Sequence, residues 1–196
     1  MLAYLVLLLA VLSRILPHVF HATSWNFTLI GGGLLFFGSR MGAGTAGSFT
    51  RKSAFRLASA VAALMATDYF LTVFVFHFPF VTRAYLTTWL WYGAICLLGM
   101  GILRKPSVLR VGAGVLASST SFFVLSNFMV WADGSMAMYP RTLAGLGACY
   151  MAGLPFYRND LASTALVAGV LFGLPVVAAK LIESMQAAQD NNLPTA

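Results

Sequence analysis

Long apolar runs separated by short polar punctuation dominate this chain. A helix that crosses a bilayer needs roughly 20 mainly apolar residues, and runs of that kind fall at about 1–17, 27–47, 54–76, 86–103, 108–131 and 161–183. Between them stand Pro17 with His18 and His21, then Arg51, Lys52 and Arg56, then Pro79 with Arg83, then Arg104, Lys105, Pro106 and Arg110. A longer segment from Asp133 to Asp160 precedes the last run. Within it, residues 140–156 are apolar but too short to cross, and Pro140 and Pro155 bracket them. Such a length predicts a re-entrant or interfacial segment, one that caps a cavity on the outer face. The pattern predicts an all-α integral membrane protein: a six-helix transmembrane bundle with this short segment before the last helix. One transmembrane domain is expected over 1–185, followed by a polar C-terminal tail over 186–196.

Composition removes the soluble alternative. Of the 196 residues, 60% are hydrophobic and 9% charged, with a mean hydropathy of +0.85. A soluble domain is roughly 45–50% apolar and about 25% charged, and a soluble fold of this composition would expose large apolar patches and aggregate. Disorder is excluded by the low charge density and abundant aromatics. The net charge of +7 would suggest nucleic acid in a soluble protein, but here the basic residues sit between apolar runs and report topology. No nucleic-acid partner is expected. The second and fourth loops carry three basic residues each (Arg51, Lys52, Arg56; Arg104, Lys105, Arg110), against Arg83 in the third and a dispersed Arg141 and Arg158 in the fifth. The positive-inside rule then places both termini in the cytoplasm of a bacterial inner membrane. The first run lacks a basic leader and a small-residue cleavage site, so it reads as a retained span.

Residues expensive to bury are the candidates for function. Asp68 (ATDYFLTVF) lies deep in the third run, where a charge costs on the order of 2.5–3.5 kcal/mol on insertion scales. It is either a ligand or proton site, or the structural partner of Arg14, Arg40 or a fifth-span hydroxyl. The fifth run carries Ser118, Ser119, Thr120, Ser121, Ser126 and Asn127. Hydroxyls can bond back to their own helix or pack helices together, whereas the Asn127 amide needs several partners. With the assigned topology, polar and aromatic outliers gather at the outer side around the first and fifth loops, the form of a small-molecule pocket rather than of a channel lined along its whole length.

Other signals are bland. Cys96 and Cys149 match no metal spacing. His18, His21 and His77 share no ligand spacing, and His77 alone is a weak metal candidate. No hydrolase, zincin or nucleotide-binding motif occurs. Gly31-Gly32-Gly33 lies within an apolar helix without the strand–turn–helix context of phosphate binding and reads as close helix packing, as do Gly38/Gly42, Ala58/Ala62/Ala66 and Gly169/Gly173 at small-xxx-small spacing. No cofactor is expected.

Four separate motifs occur in order: Ser13-Arg14-x-Leu16-Pro17-His18 with Asn26-Phe27-Thr28-x-Ile30; Ser126-Asn127-Phe128-x-Val130-Trp131; Tyr139-Pro140-x-Thr142-x-x-Gly145-Leu146 with Cys149-Tyr150; and Pro155-Phe156-x-Arg158-Asn159. Together they resemble an uncharacterised bacterial family of transport-type membrane proteins. That family is similar to the substrate-binding S-components of energy-coupling-factor transporters, including the solitary cobalamin-binding type. The resemblance implies six helices holding a vitamin-sized ligand near the outer face. It nominates Arg14, His18, Asn26, Asn127, Trp131, Tyr139 and Arg158 for the site or its support, to which the burial cost adds Asp68. The cobalt-facing cysteine of the solitary type is absent from Phe76-His77-Phe78-Pro79-Phe80, and so is the AxxxA docking motif of the first helix.

The expected function is membrane solute uptake, S-component-like, with a vitamin-like small molecule held in a pocket open to the outer face. The partners are the lipid bilayer, the solute, and energising transporter subunits or a larger membrane complex. Two alternatives stay open: a structural or accessory subunit of such a complex, and a membrane enzyme using Asp68 or His77.

Overall fold

A computed structural model of the chain describes residues 1–19, 27–42, 49–133 and 138–190. The described residues form helices and connecting turns, with no strand among them. In chain order they are α1 (Leu2–Val19), α2 (Ile30–Met41), α3 (Arg51–Phe70), α4 (Thr82–Ile102), α5 (Val108–Asp133), α6 (Leu143–Ala168) and α7 (Leu174–Asp190). Wider π-helical turns extend α3 over Leu71–Val75 and join α6 to α7 over Gly169–Gly173.

Among the described residues, four helical stretches are long and apolar enough to cross a membrane: Arg51–Val75, Thr82–Ile102, Val108–Asp133 and Leu143–Gln186. Many large apolar side chains stay on the surface, and several polar ones are buried. Leu90 and Phe74 are 75% and 59% exposed, while Ser53, Asp68, Ser118, Ser119, Ser163 and Thr164 are buried. A surface rich in large apolar side chains is what a hydrocarbon solvent selects, and the buried polar groups stand beside an apolar core that includes Leu34, Leu35, Phe36 and Phe37. The protein is an all-α, multi-pass membrane protein.

At the centre stands α2, whose 12 residues are all buried except Arg40. At 1.5 Å per residue it is about 18 Å long, shorter than the roughly 30 Å hydrocarbon layer. Glycine lets neighbours close on it. A methyl group at Gly38 would run into the Cys96 carbonyl of α4, and one at Gly99 of α4 into the Leu35 carbonyl of α2. The two backbones therefore meet directly. Gly32 lets the Val167 side chain of α6 pack closely, with the Ala168 backbone nitrogen 3.0 Å from where a methyl group would stand. Its ends are fastened by side chains: Leu29 N–H donates to Ser13 Oγ of α1 at 3.1 Å, and the Arg56 guanidinium of α3 donates to the Arg40 and Met41 carbonyls at 3.0 and 3.2 Å. A cation on the last carbonyls of a helix is favoured both by hydrogen bonding and by the helix dipole.

Two expectations about small residues change. Ala58, Ala62 and Ala66 lie on the exposed face of α3. A methyl group at Gly169 or Gly173 would meet nothing within 4 Å, so these glycines bound the π turn rather than a helix contact.

The segment 140–156 is also different from expectation. It is not a re-entrant or interfacial element: α6 starts at Leu143 and runs through Pro155 to Ala168. Thr142 makes the start, its hydroxyl accepting from Gly145 N–H at 3.1 Å, and Trp131 Nε1 donates to the Pro140 carbonyl at 3.0 Å. A methyl group at Gly145 would strike that same carbonyl. The Tyr139-Pro140-x-Thr142-x-x-Gly145 motif is thus a helix-start signal. Pro155 removes one backbone donor without ending the helix, which transmembrane helices tolerate when neighbours support them. The expected tail from 186 begins as helix, with α7 reaching Asp190; residues 191–196 lie outside the described residues.

Gly38→Ala should lower the melting temperature in detergent markedly, because overpacking against backbone costs about 1–3 kcal/mol. Gly101→Ala, where a methyl group meets nothing within 4 Å, should leave it unchanged. Equal behaviour of the two variants in a thermal melt would contradict the packing described here.

Candidate functional site

The ends of α1, α3 and α5, the beginnings of α2 and α4 and the middle of α6 surround a cavity of about 470 Å³. It lies at the end of the bundle away from Arg51, Lys52, Arg56, Arg104, Lys105 and Arg110. The opposite end is where the start of α1 (Met1 to Tyr4), Arg40, Met41 and Arg56 come together.

Three helices contribute matched stripes to the wall. From α4 come Tyr85, Thr88, Trp91 and Tyr92; from α5, Ser119, Phe122, Phe123, Ser126 and Asn127; from α6, Gly153, Phe156, Tyr157 and Asp160. Each stripe advances by three or four residues, the spacing that keeps side chains on one helical face. Arg14 of α1, Asp68 of α3 and Thr28 and Ile30 before and at the start of α2 complete the lining.

The strongest interaction in this wall is an ion pair. Arg14 Nη1 lies 2.6 Å from Asp68 Oδ1, with the Asp68 side chain 1% exposed and that of Arg14 21%. Trp89 Nε1 donates to the other carboxylate oxygen at 2.9 Å, and Arg14 Nη1 also donates to Tyr92 Oη at 3.0 Å. One carboxylate therefore joins α1, α3 and α4. The π turn that follows it places Thr72, whose hydroxyl donates to the Asp68 carbonyl at 2.7 Å and sits 2.6 Å from Tyr85 Oη. Among the partners considered for Asp68 in the sequence, Arg14 is the one it meets, and the pair lines the cavity at the same time.

Asn127 is held between α5 and α6. Its Nδ2 donates to the Phe123 carbonyl at 2.8 Å, and a methyl group at Gly153 would press on its side-chain amide. Trp91 is fixed by Nε1 donating to Ser121 Oγ at 2.9 Å and by a ring contact with Phe122 at 4.7 Å. Thr120 and Tyr157 hydroxyls are 3.0 Å apart. The Ser/Thr run on α5 thus serves two roles: Ser121 bonds to its own helix through the Ser118 carbonyl at 3.0 Å, whereas Ser118 and Ser119 Oγ are buried without a hydrogen-bond partner. Thr164 Oγ1 and Asp160 Oδ2 share that condition. A buried polar group left unsatisfied costs about 1–3 kcal/mol.

Of the residues nominated from the sequence, the structure brings Arg14, Asp68 and Asn127 to the cavity. His18 is exposed, its ring edge-on to Phe76 at 4.9 Å. Trp131 supports the turn before α6, Tyr139 is half-buried in that turn, and Arg158 is exposed on α6; none of the three lines the cavity. Asn26, like His21 and Trp25, lies outside the described residues. His77 is exposed in a left-handed backbone conformation, φ 56°. No group of three His, Cys, Asp or Glu side chains able to hold a metal occurs among the described residues.

Asp160 and the α4 stripe are additions. Reading 140–156 as a loop put Asp160 at the edge of a span; within α6 it lies mid-helix, in register with Gly153, Phe156 and Tyr157.

Breaking the ion pair should destabilise the protein. Removing one partner of a buried pair costs about 3–5 kcal/mol because the other charge is stranded. Asp68→Asn and Arg14→Met should each lower the melting temperature in detergent, and the double variant should lose less than the sum of the two. Strictly additive losses would show that the two side chains do not act as a pair.

No curated protein and no solved structure matches the chain. The family model that does match is described as a family of unknown function and covers residues 1–187. That agrees with the sequence motifs at the level of an uncharacterised family. The chain belongs to the family of unknown function DUF6580.

Proposed function

We propose that this protein binds a small, flat, partly aromatic solute in the cavity and takes part in its uptake across the membrane, in the manner of an S-component. The observation that carries the reading is the cavity itself. Its volume of about 470 Å³ falls within the range of roughly 300–1,000 Å³ typical of small-molecule sites. Its lining matches their usual chemistry, with aromatic walls and a few fixed polar groups. Tyr85, Trp91, Phe122 and Phe156 offer faces for a ring, and Thr88, Ser126 and Asn127 offer hydrogen bonds to its edge. The Arg14–Asp68 pair is internally neutral, so it can orient polar atoms of a solute without demanding a charged one.

The basic loops lie at the other end of the bundle, and by the positive-inside rule the cavity end is then the outer one. This supports capture from outside. The size supports the resemblance to S-components at the level of a vitamin-like molecule, which a space of about 470 Å³ can hold. With no nucleotide-binding motif in the chain, ATP-driven uptake along these lines requires partner subunits.

Native mass spectrometry of the protein, purified in mild detergent from its own cells, should find a co-purifying small molecule. Asn127→Ala should reduce its retention about tenfold, the effect of losing roughly one hydrogen bond to a ligand. Arg158→Ala, outside the cavity wall, should not reduce it. A bare chain held to other subunits would overturn the reading in favour of an accessory subunit.

A further inference from the structure

Beneath the cavity, α2, α5 and α6 enclose a cluster of oxygen atoms that the solute reading does not use. Ser119 and Asp160 line the cavity. Ser118 and Thr164 lie deeper, one residue before Ser119 on α5 and one turn beyond Asp160 on α6. The three hydroxyl residues are each at most 1% exposed. Ser118 Oγ, Ser119 Oγ, Thr164 Oγ1 and Asp160 Oδ2 are all buried with no hydrogen-bond partner. Ser119 lies beside the Asp160 carboxylate without meeting hydrogen-bond geometry.

Thr164 Oγ1 and Ser118 Oγ come close to one another because Gly31 of α2 leaves them room. A methyl group there would collide with Thr164 Oγ1 and reach Ser118 Oγ at 3.2 Å. Asp160 and Thr164 are four residues apart and share a face of α6. Helices α2, α5 and α6 thus each contribute to one small space.

The chemistry of the donors selects the occupant. All are hard oxygens, the kind that alkali and alkaline-earth cations prefer over soft or nitrogen-rich sites. Their formal charge is that of one carboxylate. Arg14, the cation in the cavity wall, is 2.6 Å from Asp68, and Asp160 makes neither of the ion pairs found among the described residues. A single uncompensated carboxylate matches a monovalent ion; a divalent ion would leave excess positive charge in a low-dielectric interior.

We propose that Asp160, Ser118, Ser119 and Thr164 form a binding site for one monovalent metal cation, Na⁺, at the floor of the cavity. The cation would neutralise Asp160 and satisfy the buried hydroxyls together. Where the solute reading also holds, the ion lies directly below the solute and couples its binding to the Na⁺ gradient; the site itself does not rest on that reading.

The test uses the purified full chain in detergent and needs no solute. Its melting temperature is followed as NaCl replaces choline chloride at constant ionic strength, and ²²Na⁺ binding is measured in parallel. A ligand that binds only the folded state stabilises it in a saturable way, so Na⁺ should raise the melting temperature by several degrees with one ion bound per chain. Asp160→Asn and Thr164→Val should abolish both effects. Ser119→Ala should weaken the apparent Na⁺ affinity at least tenfold, which keeps the test decisive if Asp160→Asn does not fold. Equal melting in the two salts with no ²²Na⁺ bound would overturn the proposal, as would a Na⁺ effect that survives Thr164→Val. A melting temperature that follows pH but not Na⁺ would also overturn it and make Asp160 a proton site. Failure of the solute reading alone would leave Na⁺ binding intact.

Discussion

A carboxylate placed in the middle of a membrane helix must be neutralised by the protein around it, and the arrangement of α1, α3 and α4 follows from how Asp68 meets that demand. Arg14 reaches it from α1 and Trp89 from α4, and Tyr92 supports the arginine. The pair holds these three helices around a space that aromatic rings from α4, α5 and α6 then enclose. The same side chains that lock the bundle therefore form the wall of the cavity. A structural and a binding role for Asp68 are not exclusive, because the place where hydrocarbon is kept out is where ionised groups can exist.

The second constraint is backbone proximity. Gly38 and Gly99 let α2 and α4 meet backbone to carbonyl, and Gly32 makes room for the Val167 side chain of α6. Lipid offers no hydrophobic drive between helices, so close van der Waals packing at small residues supplies it. A short, central α2 results. Its buried position leaves its starting turn beside both the cavity and the oxygen cluster below, where Gly31 opens space for Ser118 and Thr164.

Much of this was legible from the sequence, for identifiable reasons. Apolar runs marked the helices because the bilayer sets their length, and the cost of burying charge singled out Asp68, with Arg14 one of three partners considered for it. The close-packing role of Gly31–Gly33 followed from their place in an apolar helix, and that of Gly38 from its spacing. What misled was Pro155: a proline bracket suggested that 140–156 stops short of a helix, whereas Thr142 caps one there and α6 runs through the proline. That misplacement hid Asp160, and with it the stripe from Gly153 to Thr164. The alanine row of α3 had the correct spacing but faces outward, since spacing defines a face and not what covers it. Trp131, Tyr139 and Arg158 drew notice through their motifs. Trp131 helps build the turn before α6, Tyr139 sits within that turn, and Arg158 is exposed on α6 and does not line the cavity.

The central claim is that the cavity lined by Arg14, Asp68 and Asn127 opens to the outer side of the membrane as a solute site. Site-directed thiol labelling in intact cells tests it most directly, with the buried Cys96 and Cys149 as background. Ser126→Cys, in the cavity wall, should react with a membrane-impermeant maleimide added outside. Ser107→Cys, beside the basic turn before α5, should react only after the cells are opened. Labelling of Ser107→Cys from outside, with Ser126→Cys protected until the cells are opened, would contradict the account.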